Sequence, residues 1–470
     1  MSRPGHDTSP TRPGFPTRQL IESSRIAAHR NRRAAHCRVL RVTDFVESIA
    51  RLRLPRTSRC RIDADLEPLT DRAPEATPSD VGTTRDVIES LWERLLALYR
   101  SGVHPGIQLC VRRHGAVVID RAIGHARGNS PEDPVDATRV PLTTRTPVNL
   151  FSAAKAITAM VVHKLDEQHV LHLDDRVCEF IPEFAKHGKD RITIRHLVSH
   201  KAGIPNLPRE ALDLDLLHRP ERVIEIMCDM KPRSRPGQML AYHAVSSGFV
   251  LAEVVRRATG HTIRDVLARE IREPLGLEWL HYGVAPEDVE RVARNALTGP
   301  PVLPPVSNLL RGALGMDIDE VVRFSNDPRF LTGIIPSANV ISTAADVAAF
   351  YQCLLNGGEL GGIRVFDERT VHHAIDEQTG FEFDLTLFLP IAYSMGFMLG
   401  NRFLSLYGWN HPEAFGHLGL TNIFCWADPE RELVVSVLTT GKPIVSLHAL
   451  RMVQFHSAIH DAFPTVDRRR

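Results

Sequence analysis

From Asp86 onward the apolar positions fall into a regular pattern. Val87, Leu91, Leu95, Leu96 and Leu98 recur at helical spacing and predict an amphipathic helix. Two short β-rich runs follow, 107–111 and 116–119, with Arg113-His114-Gly115 as a hairpin turn. After a polar loop to Arg145, a helix is predicted over 153–167. Residues 175–380 read as mainly helical, with Pro/Gly-rich connections such as Gly299 to Pro305. Strand signals return at 393–399, 422–426 and 433–439, and a last helix is predicted over about 444–462. Strands at both ends with helices between them predict an α/β (α+β) fold. One sheet is built from both ends of the chain and a mainly helical insertion covers about 175–380. No internal repeat is visible.

Before this body the pattern is different. Residues 1–61 hold fourteen arginines against four acids, and Pro4, Pro10, Pro13 and Pro16 punctuate the start. Residues 1–80 are therefore expected to be an Arg/Pro-rich disordered extension, and 463–470 a flexible tail. Within 39–54 the spacing of Val39, Val42, Val46 and Ile49 admits a short basic amphipathic helix. A solvated extension is preferred there over a nucleic-acid or membrane-surface tether.

Composition narrows the function. The chain has 470 residues, 57 Lys+Arg against 56 Asp+Glu, and a net charge of +1. That balance argues against a protein that coats nucleic acid over its whole surface. No apolar run reaches the roughly 18 residues of a membrane span. No compact apolar segment follows a charged start, so a secretory signal is not expected. Seven scattered cysteines without a C-x-x-C read as reduced thiols in a cytoplasmic protein. His196-Leu-Val-Ser-His200 lacks the Glu of H-E-x-x-H, and His372-His373 stands alone, so neither a metal nor a cofactor is expected.

Chemistry concentrates in three short motifs. Ser152 and Lys155 in Phe151-Ser-Ala-Ala-Lys155 are three apart on a predicted helix and share a face. An amine there can take the hydroxyl proton, provided that burial lowers its pKa. Only seven of the 57 basic residues are lysines, and Lys155 is the first in the chain. Next, Tyr242 in Ala241-Tyr-His-Ala244 is a candidate general base, since a phenol beside an ammonium ionises more readily. Finally, Gly416-His-Leu-Gly-Leu-Thr421 leads into a strand, where Gly419 would let substrate approach the backbone. The amide of Leu420 could then join that of Ser152 in an oxyanion hole. Ser246 in Ala244-Val-Ser-Ser-Gly248 imitates a nucleophile elbow, but it falls inside a predicted helix rather than on a strand–turn–helix.

With these motifs in view, the chain resembles the β-lactamase-related serine hydrolases. That group includes class C β-lactamases, DD-peptidases, D-aminopeptidases and family VIII carboxylesterases. The order Ser-x-x-Lys, Tyr, His-x-Gly matches. So do 192–205 (ITIRHLVSHKAGIP), Pro236-Gly237, 273–277 (EPLGL), 337–346 (SANVISTAAD) and 427–430 (ADPE). The resemblance covers about 85–460 and implies a β-lactamase/transpeptidase-like fold. It implies Ser152 as the acylated nucleophile, Lys155 as its activator and Tyr242 as the proton-shuttling base. His417 takes the place of the KTG lysine, with Gly419 beside it, and Leu420 supplies an oxyanion amide. Two departures favour esters. Ala244 stands where the family's Tyr-x-Asn has an amide, and His417 replaces a fixed cation.

The expectation is thus a serine hydrolase acting on small-molecule carboxylic esters, an esterase with possible lipase-like reach. The alternatives are the same chemistry on amides, or a non-catalytic scaffold with a basic tether. The substrate pocket is expected to be lined from 295–335 and 378–412.

Overall fold

The computed structural model describes residues 58–466. The predicted amphipathic segment at 39–54 and residues 467–470 of the predicted 463–470 tail lie outside the described residues; the start of that tail is packed, with Phe463 buried and Val466 N donating to Glu430 O at 2.8 Å.

The frame is an antiparallel sheet. Its first strands are β1 (Thr70–Arg72), β2 (Gly106–Arg113) and β3 (Ala116–Arg127). Four more come from the other end of the body: β4 (Met398–Leu399), β5 (Phe415–Gly419), β6 (Ile423–Asp428) and β7 (Leu433–Thr439). They lie in the order β1-β3-β2-β7-β6-β5-β4, and the two-residue strand Val140–Pro141 adds to β3. The β7–β2 pair, with Leu433 opposite Arg113 and Thr439 opposite Ile107, closes the two ends into one sheet. This is the β-lactamase/transpeptidase-like architecture with helices on both faces.

Side-chain alternation explains the layers. On β7, Leu433, Val435 and Val437 face α1 (Arg85–Tyr99) and the last helix, which meet them with Leu91, Trp92 and Phe455. Val434 and Leu438 face the opposite way. There they meet α2 (Ala154–Glu167) and the helix Ala344–Leu355 through Ile157, Val161, Val347 and Phe350. Both faces are buried, so β7 is buried along its whole length. The longer helices of the insertion are, in chain order, α3 (Pro220–Asp229), α4 (Ser246–Thr259), α5 (Val306–Leu314), α6 (the Ala344–Leu355 helix) and α7 (Glu368–Ile375). The terminal helix His448–Ala462 is α8. Among the described residues, no helix is long and apolar enough to cross a membrane.

Two further sequence expectations are corrected. The globular body starts before residue 80. Thr70 pairs with Ile123, and Cys60 and Leu66 are buried. Glu75 grips the buried Arg121 through Nε at 2.6 Å and Nη2 at 2.7 Å, with Glu89 on the other side of the guanidinium. Burying an arginine demands such partners, and they tie 58–80 to β3. The second correction concerns 393–399, which is a strand only at Met398–Leu399. Upstream the chain turns against α2. Gly396 has φ 125, and a Cβ there would sit 2.1 Å from that of Ala159. That contact replaces strand pairing.

Candidate active site

Asn149, at the end of a short strand paired with Ile341, leads into a single turn (Phe151–Ala153) and then α2. Phe151 lies in the left-handed region at φ 47, a conformation that costs a side-chain-bearing residue about 1–3 kcal/mol. The surroundings hold it there. Leu150 N donates to Val340 O at 2.9 Å and Phe151 N to Asn149 Oδ1 at 3.3 Å. Lys442 Nζ lies 4.7 Å from the Phe151 ring centroid. This strained corner turns the half-buried Ser152 side chain into a cavity.

Lys155 follows on the same helical face. Its Nζ lies 2.7 Å from Ala244 O, 3.0 Å from Ser337 O and 3.2 Å from Ser152 Oγ. Burial pushes the amine well below the ordinary lysine value, so the neutral form is favoured. The count of partners agrees with that form. Two carbonyls can only accept and use both N–H bonds of a neutral amine, which leaves its lone pair facing the Ser152 hydroxyl. The condition set by the sequence motif, burial of the lysine, is met.

Tyr242 closes the corner. Lys155 Nζ is 4.8 Å from its ring centroid. The phenol shares a hydrogen bond with Ser152, yet burial, aided by the Asp384 carboxylate, pushes it above its ordinary value. The expectation of an easily ionised phenol beside an ammonium is therefore corrected. Desolvation disfavours both charged forms at once. A cluster of rings holds Tyr242 in place, with the tilted His200 ring centroid at 4.6 Å and Tyr393 edge-on to His200 at 5.0 Å. The buried Asp384 anchors the cluster by accepting from Tyr242 N at 3.1 Å and from Tyr393 OH at 3.1 Å.

The third motif forms the facing wall. His417 is 1% exposed, with its ring 6.1 Å from that of Tyr242. Burial pushes it down to about 3, so it is a neutral imidazole. Gly419 is needed for close approach, because a Cβ would lie 2.3 Å from Leu150 O. The end of β5 thus packs directly on the corner that carries Ser152. Leu418, Gly419, Leu420 and Thr421 line the cavity on which Ser152 and Tyr242 also open.

That cavity has a volume of about 340 Å³. Its walls are almost wholly apolar. Leu310, Ala313 and Leu314 come from α5, Phe249 from α4, and Leu387 and Leu389 from the hairpin Glu382–Asp384/Leu389–Ile391. The expected lining segments, 295–335 and 378–412, do supply much of the wall, partly as helix rather than loop.

A profile of the Beta-lactamase family matches residues 84–456. The chain belongs to that family. The "Esterase/beta-lactamase LipL" of Mycobacterium tuberculosis (strain ATCC 25618 / H37Rv) is 28% identical over 308 residues, covering 62% of this chain and 68% of that protein. A DD-carboxypeptidase-like protein of Escherichia coli (strain K12) is 25% identical over 406 residues, covering 82% of this chain and 88% of that one. Among solved structures, a family VIII carboxylesterase superposes with a TM-score of 0.67 at 24% identity, covering 80% of this chain and 98% of its own. The fold and the hydrolase superfamily are thereby established, with both esterases and peptidase-like proteins among the relatives.

Within this family frame, Ser152, Tyr242, Gly419 and Leu420 line one cavity, with Lys155 bonded to Ser152 and the His417 ring set against Tyr242. The decoy does not join them. Ser246 is the first residue of α4, fully buried, and its hydroxyl donates to Ile204 O at 2.6 Å. His196 and His200 also part company. His196 Nδ1 accepts from Thr193 N at 3.1 Å in a helix cap, while His200 lies under Tyr242. Sequence reasoning missed the supporting residues. His200 acts through packing and Ser337 through its backbone carbonyl, while Asp384 and Asn149 act through side-chain oxygens that meet their partners only in the folded chain. Their one trace was the family-like phrases that contain His200 and Ser337.

Proposed function

We propose that this protein is a serine carboxylesterase that cleaves neutral, apolar acyl esters through an acyl-enzyme on Ser152. The observation that carries this reading is the apolar cavity opening on Ser152, with a neutral imidazole at His417 where a fixed cation would select an anionic substrate. Lys155 takes the Ser152 proton as Oγ attacks the ester carbonyl. The oxyanion is held by the amides of Ser152 and Leu420. The ester C–O bond breaks, Tyr242 gives its proton to the departing alcohol, and the Lys155 ammonium passes its proton to the Tyr242 phenolate. Water then repeats the sequence in reverse and releases the acid. The six free cysteines among the described residues, five of them buried, support a reducing compartment such as the cytoplasm.

An ester chain-length series on wild type, Ser152→Ala and Tyr242→Phe tests the proposal. Ser152→Ala should lose at least about 10³-fold in turnover. Tyr242→Phe should lose about 10²- to 10⁴-fold. Equal rates in wild type and Ser152→Ala would sink it. The DD-carboxypeptidase-like relative keeps an amide reading in play. Nitrocefin turnover faster than ester turnover would select that reading instead.

A further inference from the structure

We infer that the junction of α2 and α7 is a transition-metal site with His163, Asp166 and His373 as ligands and zinc as the fitting ion. His163 and Asp166 are three apart on α2 and share a face, and His373 reaches them from α7. One ligand atom of each lies within 4.8 Å of the other two. A tetrahedral zinc site with bonds of about 2.0–2.1 Å holds its ligand atoms about 3.3 Å apart. The remaining closure of about 1.5 Å is within the reach of a rotamer change at His373, which is solvent-accessible.

A second, independent observation points to a ligand. His163 is 1% exposed, and its Nε2 donates to Met395 O at 2.9 Å. That bond fixes the tautomer and puts the lone pair on Nδ1, which has no hydrogen-bond partner. A buried ring nitrogen left unmade is costly, and most such atoms in proteins find a partner. Donation of one ring N–H to a backbone carbonyl, with the other nitrogen free, is how metal-ligating histidines are oriented.

The local charges permit a cation. Arg195 lies nearby, but both oxygens of Asp174 hold its guanidinium, at 2.6 and 2.9 Å. His172 Nδ1 is 3.2 Å from Asp166 Oδ1, which leaves the second carboxylate oxygen for a metal. Two imidazoles and one carboxylate suit zinc, and also cobalt or nickel, with water completing the shell.

The site is not part of the hydrolytic corner. His163 is eight residues beyond Lys155, about 12 Å along the helix. It would clamp the far end of the nucleophile helix to α7. The spacing of the histidines gave no hint of this, because His373 meets His163 only in the folded chain.

The test uses chelator-stripped, full-length protein titrated with Co²⁺ by absorbance and with Zn²⁺ by calorimetry. Wild type should show a Co²⁺ spectrum typical of a four-coordinate site, displaced by Zn²⁺. His373→Ala and Asp166→Asn should each weaken the tightest binding event at least tenfold, with ester hydrolysis retained. Zn²⁺ should raise the melting temperature of wild type and not that of His373→Ala. Equal affinity and stoichiometry in all three proteins would assign the binding to other histidines and overturn the inference. So would an absence of binding by wild type.

Discussion

Two of the three buried lysines among the described residues sit in different chemical surroundings. Lys189 is fully buried among the ends of helical segments, and its Nζ donates to Lys186 O, Cys228 O and Met230 O at 3.1, 2.7 and 2.5 Å. Three carbonyls need three N–H donors, so this lysine serves as an ammonium that caps the C-terminal end of α3. Lys155 meets two carbonyls and a hydroxyl. A neutral amine satisfies that set, and its lone pair becomes a base. Burial lowers both amines, but only Lys155 is driven well below its ordinary value, with no nearby anion working against the desolvation. In the proposed mechanism, changing one acceptor from carbonyl to hydroxyl converts a structural cap into a catalytic group.

The sharpest way to break this contrast is to remove each amine. Lys155→Met should lower ester turnover by about 10⁴-fold while circular dichroism shows a folded protein. Lys189→Met should leave turnover per folded molecule unchanged. Instead it should lower unfolding stability by about 3 kcal/mol in a denaturant titration, because three carbonyls lose their donor. If Lys189→Met abolished turnover in folded protein, the division of roles would be wrong.

The pH dependence sharpens the charge assignment. In the proposed mechanism Lys155 is a base only when deprotonated, and burial lowers its folded value below the ordinary lysine value of 10.5. The rate constant kcat/KM should therefore fall about tenfold per pH unit as pH drops through that depressed value, and be flat above it. The groups facing Lys155 do not replace this limb. Tyr242 is shifted upward, His200 is pushed well down, and His243 and His417 are down to about 3. A limb at or above the ordinary lysine value would contradict a neutral Lys155.

The smallest expected effect separates the lysine corner from the cavity. Ala313→Phe on α5 should cut hydrolysis of longer acyl esters by about tenfold and spare acetyl esters, because it removes apolar volume without touching Lys155. An equal loss on all chain lengths would place Ala313 outside the acyl path.

Much of this was legible along the chain. The α1, β2–β3 and β7 patterns appeared at their observed places because burial on one or both faces imposes a period that needs no partner to be recognised. The Ser-x-x-Lys, Tyr and His-Leu-Gly motifs named the side chains that meet at the cavity. Other features stayed hidden where tertiary contact overrides local preference. The anchoring of 58–80 depends on Arg121, and the break in 393–399 depends on Ala159.

The sequence alone determined which residue types were available, the helical face shared by Ser152 and Lys155, and the strands that frame them. Those are consequences of spacing and local sterics. Only the tertiary structure decided how each group behaves. It set the carbonyls of Ala244 and Ser337 on the Lys155 amine, raised Tyr242 instead of easing its ionisation, and left His417 neutral. It also brought His373 to His163 across two helices. Desolvation and hydrogen-bond partners set these outcomes, and both arise from residues far apart in the chain.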